Sequence, residues 1–155
     1  LGLNGLYINQ SNREVMGSVP SNKVESLKQE LIEKLNKVID PATGIHIIRH
    51  AYDSRKVYSG KGLDNAPDII LGYEKNYRIS DESAFGKFPR EIFGDRTNKW
   101  SADHCIDPSL VPGVLITSKP IEKKQAAIWD IGASILDCFG IKKSLKMDGN
   151  SIWNS

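Results

Sequence analysis

Val24, Leu27, Leu31, Leu35 and Val38 recur three or four residues apart. That spacing lays apolar side chains along one stripe of an α-helix and leaves the charges on the remaining surface. Ser21 or Asn22 stands where a helix cap is expected, with Glu25 in the first turn, and Asp40-Pro41 and Gly44 stop the pattern. The helix is followed by strand-like text. Ile45–Tyr52 reads as one strand, and Pro67–Tyr73 as another, whose continuous Ile69-Ile70-Leu71 run suits a strand covered on both faces. Upstream, residues 3–9 and 13–19 read as a β-hairpin joined by Gln10-Ser11-Asn12, with Asn12 suited to the left-handed turn position. Val111–Ser118 reads as a further apolar strand, and a last helix runs from about Ala126 to Phe139 with Gly140 as its cap. Strands alternating with helices predict an α/β fold, part of a larger sheet. Residues 76–100 form a long irregular stretch, of the sort that carries function or packs on something.

The chain has 155 residues, read as a single domain over 1–155. Its 21 basic and 19 acidic residues nearly cancel, so the net charge of +2 gives no reason to expect a polyanion partner. Lysines near 142–146 are scattered too thinly to make a nucleic-acid surface and read as a solvated helix end. No apolar run reaches membrane-spanning length, and no signal peptide is legible. The opening Leu-Gly-Leu-Asn-Gly-Leu-Tyr-Ile-Asn reads like the interior of a larger chain.

Among candidate chemical groups, His104 stands out. It lies in the turn-rich loop Trp100-Ser101-Ala102-Asp103-His104-Cys105-Ile106-Asp107-Pro108, which runs into the Val111–Ser118 segment. Loops at strand ends are where α/β proteins keep their chemistry. A hydrogen-bonded structural histidine and a metal ligand are both open readings at that position. His46 and His50 are four apart, but their apolar neighbours favour a strand, on which they lie too far apart to chelate. Cys105 and Cys138 form no metal-finger spacing; Cys138 reads as a buried small hydrophobe, and a nucleophilic Cys105 would need an activating base. Ser59-Gly60-Lys61-Gly62 lacks the spacing and context of a phosphate loop and reads as a turn. Asn9-Gln10-Ser11 is a formal glycosylation sequon, and no Gly-x-Ser-x-Gly elbow exists.

Four stretches taken in order resemble the C-terminal part of the type I phosphodiesterase/nucleotide pyrophosphatase family of the alkaline phosphatase superfamily. They are Gly5-Leu6-Tyr7-Ile8-Asn9 with Asn12-Arg13-Glu14 and Gly17-Ser18-Val19; Tyr58-Ser59-Gly60 with Pro67-Asp68-Ile69-Ile70; Ser101-Ala102-Asp103-His104 leading to Val111-Pro112-Gly113-Val114-Leu115; and Trp129-Asp130-Ile131-Gly132-Ala133-Ser134-Ile135-Leu136 with Phe139-Gly140-Ile141 and Met147-Asp148-Gly149. Asn12 stands for the family's hairpin Gly, Val15 for its Pro, and Gly132-Ala133-Ser134 for its Ala-Pro-Thr helix start. The resemblance implies part of a three-layer α/β/α fold carrying a β-hairpin and additional strands. It implies that His104 is a ligand of one of two catalytic divalent metal ions, usually zinc, acting on a phosphoester or nucleotide-like small molecule. It also implies that the nucleophile and the other ligands lie N-terminal to these residues, in the remainder of a parent protein. The isolated chain is then expected to hold metal weakly and to be catalytically silent. A non-catalytic binding or scaffold module, engaging a partner through residues 76–100, is the alternative from another class. Phosphotransfer or sulfate-ester hydrolysis is the alternative within the superfamily.

Overall fold

In the computed structural model, which describes residues 4–87, 90–101 and 103–153, the stripe-bearing segment forms helix α1 over Ser21–Leu35. Leu3, Phe88, Pro89 and Ala102, which the sequence places in the first strand, the irregular stretch and the histidine loop, lie outside the described residues. Pro20, not Ser21 or Asn22, occupies the cap position of α1. The Ser21 hydroxyl instead accepts a hydrogen bond from Asn12 Nδ2 at 2.8 Å. Past Leu35, the Asp40–Ile45 turn closes through Gly44 N–H to Asp40 C=O, with Gly44 at φ 72°.

The chain divides into two compact units, one ending at Pro112 and the other beginning at Gly113. The first holds a three-stranded antiparallel sheet of order β1-β3-β2, where β1 is Gly5–Leu6, β2 is Ile48–Asp53 and β3 is Ile69–Tyr73. β3 is central, within the Pro67–Tyr73 segment read as a strand. Alternation puts Ile69, Leu71 and Tyr73 on one face, where they join Ile47, Ile48 and Ala51 in the core against Leu31, Ile32 and Leu35 of α1. Ile69 is completely buried. The fold is therefore mixed α/β, with its described sheet small and wholly antiparallel.

Two expected strand features do not form. Among the described residues, 13–19 and 4–9 form no antiparallel ladder: Ser18 and Val19 N–H both reach the Asn9 carbonyl, the isolated Gln10–Val19 bridge is parallel, and β1 pairs with β3. The reason is a charged clasp. The Asp68 carboxylate, just before β3, accepts Ile8 N–H at 2.7 Å, Gln10 Nε2 at 2.9 Å and the Arg13 guanidinium at 2.7 Å. Arg13 N–H and Glu14 N–H both turn back onto Gln10 C=O, so residues 10–17 coil rather than extend. Gly17 closes the coil: a Cβ there would meet the Gln10 carbonyl oxygen at 1.9 Å. Val111–Ser118 is not a strand either. Its backbone finds no ladder among the described residues, Pro112 has no N–H to give, and Val114 and Ile116 are exposed.

A short helix α2, Ser54–Val57, follows β2, and its start is capped by the Asp53 carboxylate accepting Arg55 N–H at 3.1 Å. Residues 76–100 are mostly irregular, as expected, with one helical turn α3 at Asp81–Ala84 capped by Ser80. Ser59-Gly60-Lys61-Gly62 is a turn leading into a 3₁₀ turn at Leu63–Asn65.

The second unit is organised by helix α4, Ile128–Cys138, and Gly140 at φ 65° ends it where the sequence places the stop. Asp130 in its first turn is fully buried and accepts Lys123 Nζ at 2.7 Å, Ala127 N–H at 2.8 Å and Asn150 N–H at 2.9 Å. The hydrogen bonds from Lys123, Asn150 and Ala127 outweigh burial and hold its pKa down to about 2. A folded pKa below the ordinary carboxylate value means that the ion stabilises the unit above about pH 4 and that this contribution drains away as pH falls toward 2. Thermal melting between pH 6 and pH 2.5 is expected to show a steep acid loss that Asp130→Asn flattens while lowering stability at pH 6. Parallel curves for the two proteins would count against this linkage.

Candidate functional site

The loop between Trp100 and Val111 has one strong local instruction, the carboxylate of Asp103. Its Oδ1 accepts the backbone N–H of His104 at 2.7 Å and of Cys105 at 3.1 Å, a turn that Asp favours because its short side chain reaches its own downstream amides. Its Oδ2 faces Arg78 Nε at 3.2 Å. Arg78 also donates to Asp81 at 2.6 Å, and Arg96 pairs with the same Asp81 while donating to the Trp100 carbonyl at 2.9 Å. The irregular 76–100 stretch is thereby tied to the histidine loop by alternating charges. Burial opposes ionisation of Asp103, but the two amides and Arg78 prevail and leave its pKa below the ordinary value.

His104 projects from this turn almost free, its side chain 94% exposed. The nearest charged group is Asp103, whose Oδ1 is 3.6 Å from His104 Nδ1. Donor atoms of Asp103, His104 and Cys105 lie within 4.8 Å of one another, the one such grouping among the described residues. The donors are unequal. Burial, then the neighbouring Asp103 carboxylate, pushes the Cys105 thiol above its ordinary pKa, so it is held away from the thiolate that binds metal. Asp103 Oδ1 is already engaged by two amides. The imidazole of His104 is the one unencumbered ligand of the three, and a closed zinc site takes four. Within the described residues the set therefore supplies one free donor, His104, and does not by itself complete a metal site.

His46 and His50 are not brought together. His46 Nδ1 faces the Asn36 carbonyl at 3.1 Å, and His50 Nδ1 faces the Asp107 carboxylate at 3.0 Å. Cys138, expected to be buried, is exposed, because the end of α4 turns Ile135 and Phe139 outward with it.

One group had no clear signal in the sequence. Asp107 is fully buried and accepts four hydrogen bonds: Tyr52 Oη at 2.8 Å, His50 Nδ1 at 3.0 Å, Ser109 N–H at 2.9 Å and Ser109 Oγ at 2.6 Å. Burial raises its pKa, but the Ser109 bonds, then Tyr52 and His50, bring it down to about 2. In return, burial and the Asp107 charge push Tyr52 up to about 12. Asp107 caps the 3₁₀ turn Pro108–Leu110, its carboxylate accepting Ser109 N–H. Its partners Tyr52 and His50 come from β2, a long-range pairing that local pattern does not carry. Comparison of the chain with family models, with curated proteins and with solved structures returns no match.

Proposed function

We propose that this chain supplies a metal-binding histidine, His104, to a metal-dependent phosphoester hydrolase of the phosphodiesterase/nucleotide pyrophosphatase type, whose nucleophile and remaining ligands come from outside its 155 residues. The observation that carries the reading is the exposed His104 imidazole on a turn whose amides at 104 and 105 are both held by Asp103. When bound, a pair of divalent ions would stabilise the attacking and leaving oxygens of an in-line displacement at phosphorus. The chain's own part is narrower: His104 offers a ring nitrogen, Asp103 sets the turn, and Arg78 pairs with Asp103. Large apolar side chains in solvent, among them Trp100, Ile128, Phe139 and Leu145, agree with a chain that packs against further structure.

The reading predicts that the 155-residue chain, saturated with zinc, hydrolyses a p-nitrophenyl phosphoester no faster than zinc in buffer. A polypeptide that adds a Ser or Thr nucleophile and an Asp-rich ligand set to this chain is expected to turn over and to lose both zinc and activity on His104→Ala. Zinc-dependent turnover by the chain alone overturns the proposed division of labour.

A further inference from the structure

The tautomer of an imidazole is set by what faces its two nitrogens, and for His50 that choice is made by a buried anion. His50 Nδ1 lies 3.0 Å from Asp107 Oδ2. Tyr52 Oη donates to the same oxygen at 2.8 Å, and the Tyr52 ring braces that of His50, their centroids 5.4 Å apart. A lone pair on Nδ1 would repel the carboxylate, so Nδ1 carries the proton and Nε2 carries the lone pair. Nε2 meets no hydrogen-bonding partner among the described residues, and the side chain is 51% exposed.

The sheet makes room for this carboxylate at one place. Gly72 of β3 stands directly across the ladder from His50, and a Cβ on it would fall 2.1 Å from Asp107 Oδ2. Glycine inside a central strand weakens the strand. Here its lack of a side chain admits a fully buried anion beside the His50 ring. The β2–β3 register slips between Ile48 and His50, with Arg49 as the extra residue of a bulge. Arg49 reaches the same cluster: its Nε donates to Ser109 Oγ at 2.9 Å, and Ser109 Oγ donates to Asp107 at 2.6 Å. Arg49 Nη1 is taken by Glu74, whereas Nη2 has no partner among the described residues.

One free nitrogen is too few ligands to hold a metal ion, but it is sufficient for a covalent acceptor. We propose that His50 Nε2 is a phosphoryl-acceptor site, taking the group from a small phosphoramidate-type donor. The Nε2 lone pair forms the new N–P bond as the P–N bond of the donor breaks, and the donor nitrogen leaves as ammonia. The ring, still protonated at Nδ1, becomes a cation. Asp107 stabilises that charge from the Nδ1 side, the part a buried aspartate plays for the imidazolium of a Ser-His-Asp triad. Arg49, joined to the ring through Ser109 and Asp107, is the cation available to the transferred dianion. The other imidazoles lack this support. His46 Nδ1 faces a neutral carbonyl, and His104 Nδ1 stands 3.6 Å from an Asp103 oxygen that already holds two amides.

Potassium phosphoramidate incubated with the 155-residue chain at about pH 8, where an ordinary imidazole is neutral, tests it by phosphorus NMR and peptide mass spectrometry. His50 is expected to be phosphorylated at Nε2 about tenfold faster than His46 or His104 of the same molecule, the worth of one hydrogen bond to a charged group. A His104 that reacts as fast as His50 overturns the proposal, as does phosphorylation of His50 at Nδ1. Asp107→Asn should bring the His50 rate down to that of His104 and leave the other two histidines unchanged; an unaltered His50 rate in the folded variant rejects the role of Asp107 and the proposal with it. Should Asp107→Asn fail to fold, nitrogen NMR of the His50 ring in the parent chain decides. The expected tautomer has its proton on Nδ1, and a ring protonated at Nε2 instead overturns the proposal. None of these results depends on zinc at His104.

Discussion

His104→Ala is expected to abolish the specific zinc binding of the chain, while His46→Ala leaves it intact. Both are surface imidazoles, and the difference is in what stands beside them. His46 turns Nδ1 onto the Asn36 carbonyl, 3.1 Å away, at the isolated bridge between Ile39 and His46. It belongs to no group of three metal-ligating residues among those described. His104 belongs to the group formed with Asp103 and Cys105, whose donor atoms lie within 4.8 Å, and its ring is the free member of that group. In a polypeptide that completes the site, the loss in turnover should exceed the about 10–100-fold typical of removing an outer partner, because a ligand itself is gone. Calorimetric titration with zinc, paired with metal analysis of the longer polypeptide, checks both statements. Equal losses from His46→Ala and His104→Ala would remove the assignment of His104.

The parts of this fold that were legible in the sequence are those specified by local period. α1 follows from its 3.6-residue stripe, strand β3 from the Ile69-Ile70-Leu71 run, and the end of α4 from Gly140. The parts that were not legible depend on a charge meeting a distant partner. Residues 10–17 carry hairpin text, but Arg13 and Gln10 reach Asp68, more than fifty positions away, and the coil they make excludes the hairpin. Val111–Ser118 has strand composition without a neighbour to complete its ladder among the described residues. The same division runs through the candidate site. Asp103-His104 is a local turn and reads plainly, whereas Asp107 acquires its meaning from Tyr52, His50 and Gly72, and the sequence holds no pattern that links them.

Lys28 shows the same effect in stability, and Lys28→Ala is expected to cost the first unit about 3 to 5 kcal/mol. The helical stripe runs through Val24, Leu27, Leu31 and Leu35, yet the most buried residue of α1 is Lys28, 4% exposed. Its ammonium donates to Asp53 at 2.9 Å and to Glu25 at 2.8 Å. Asp53 is almost equally buried at the end of β2, where it also caps α2. Burial pushes the Lys28 pKa down, but the bonds to Glu25 and Asp53 prevail and leave it above the ordinary lysine value. For Asp53, burial acts upward, and Lys28 with the Arg55 amide brings the pKa below the ordinary aspartate value. The signs follow from those directions. The lysine's contribution is complete below its unfolded pKa near 10 and fades as pH rises through the folded value. The aspartate's is complete above about pH 4 and fades on acidification. The pair therefore stabilises across the whole neutral range, and removing Lys28 strands a buried anion at every pH in it. Urea unfolding at pH 7 should show the loss in Lys28→Ala, and Lys28→Met should show nearly as much, since the methionine restores the packing but not the counter-charge. Lys28→Met combined with Asp53→Asn should recover most of it: asparagine can still cap α2 and leaves no ion unpaired. A Lys28→Met single variant as stable as the parent would mean that α1 is held on the sheet by its apolar stripe alone.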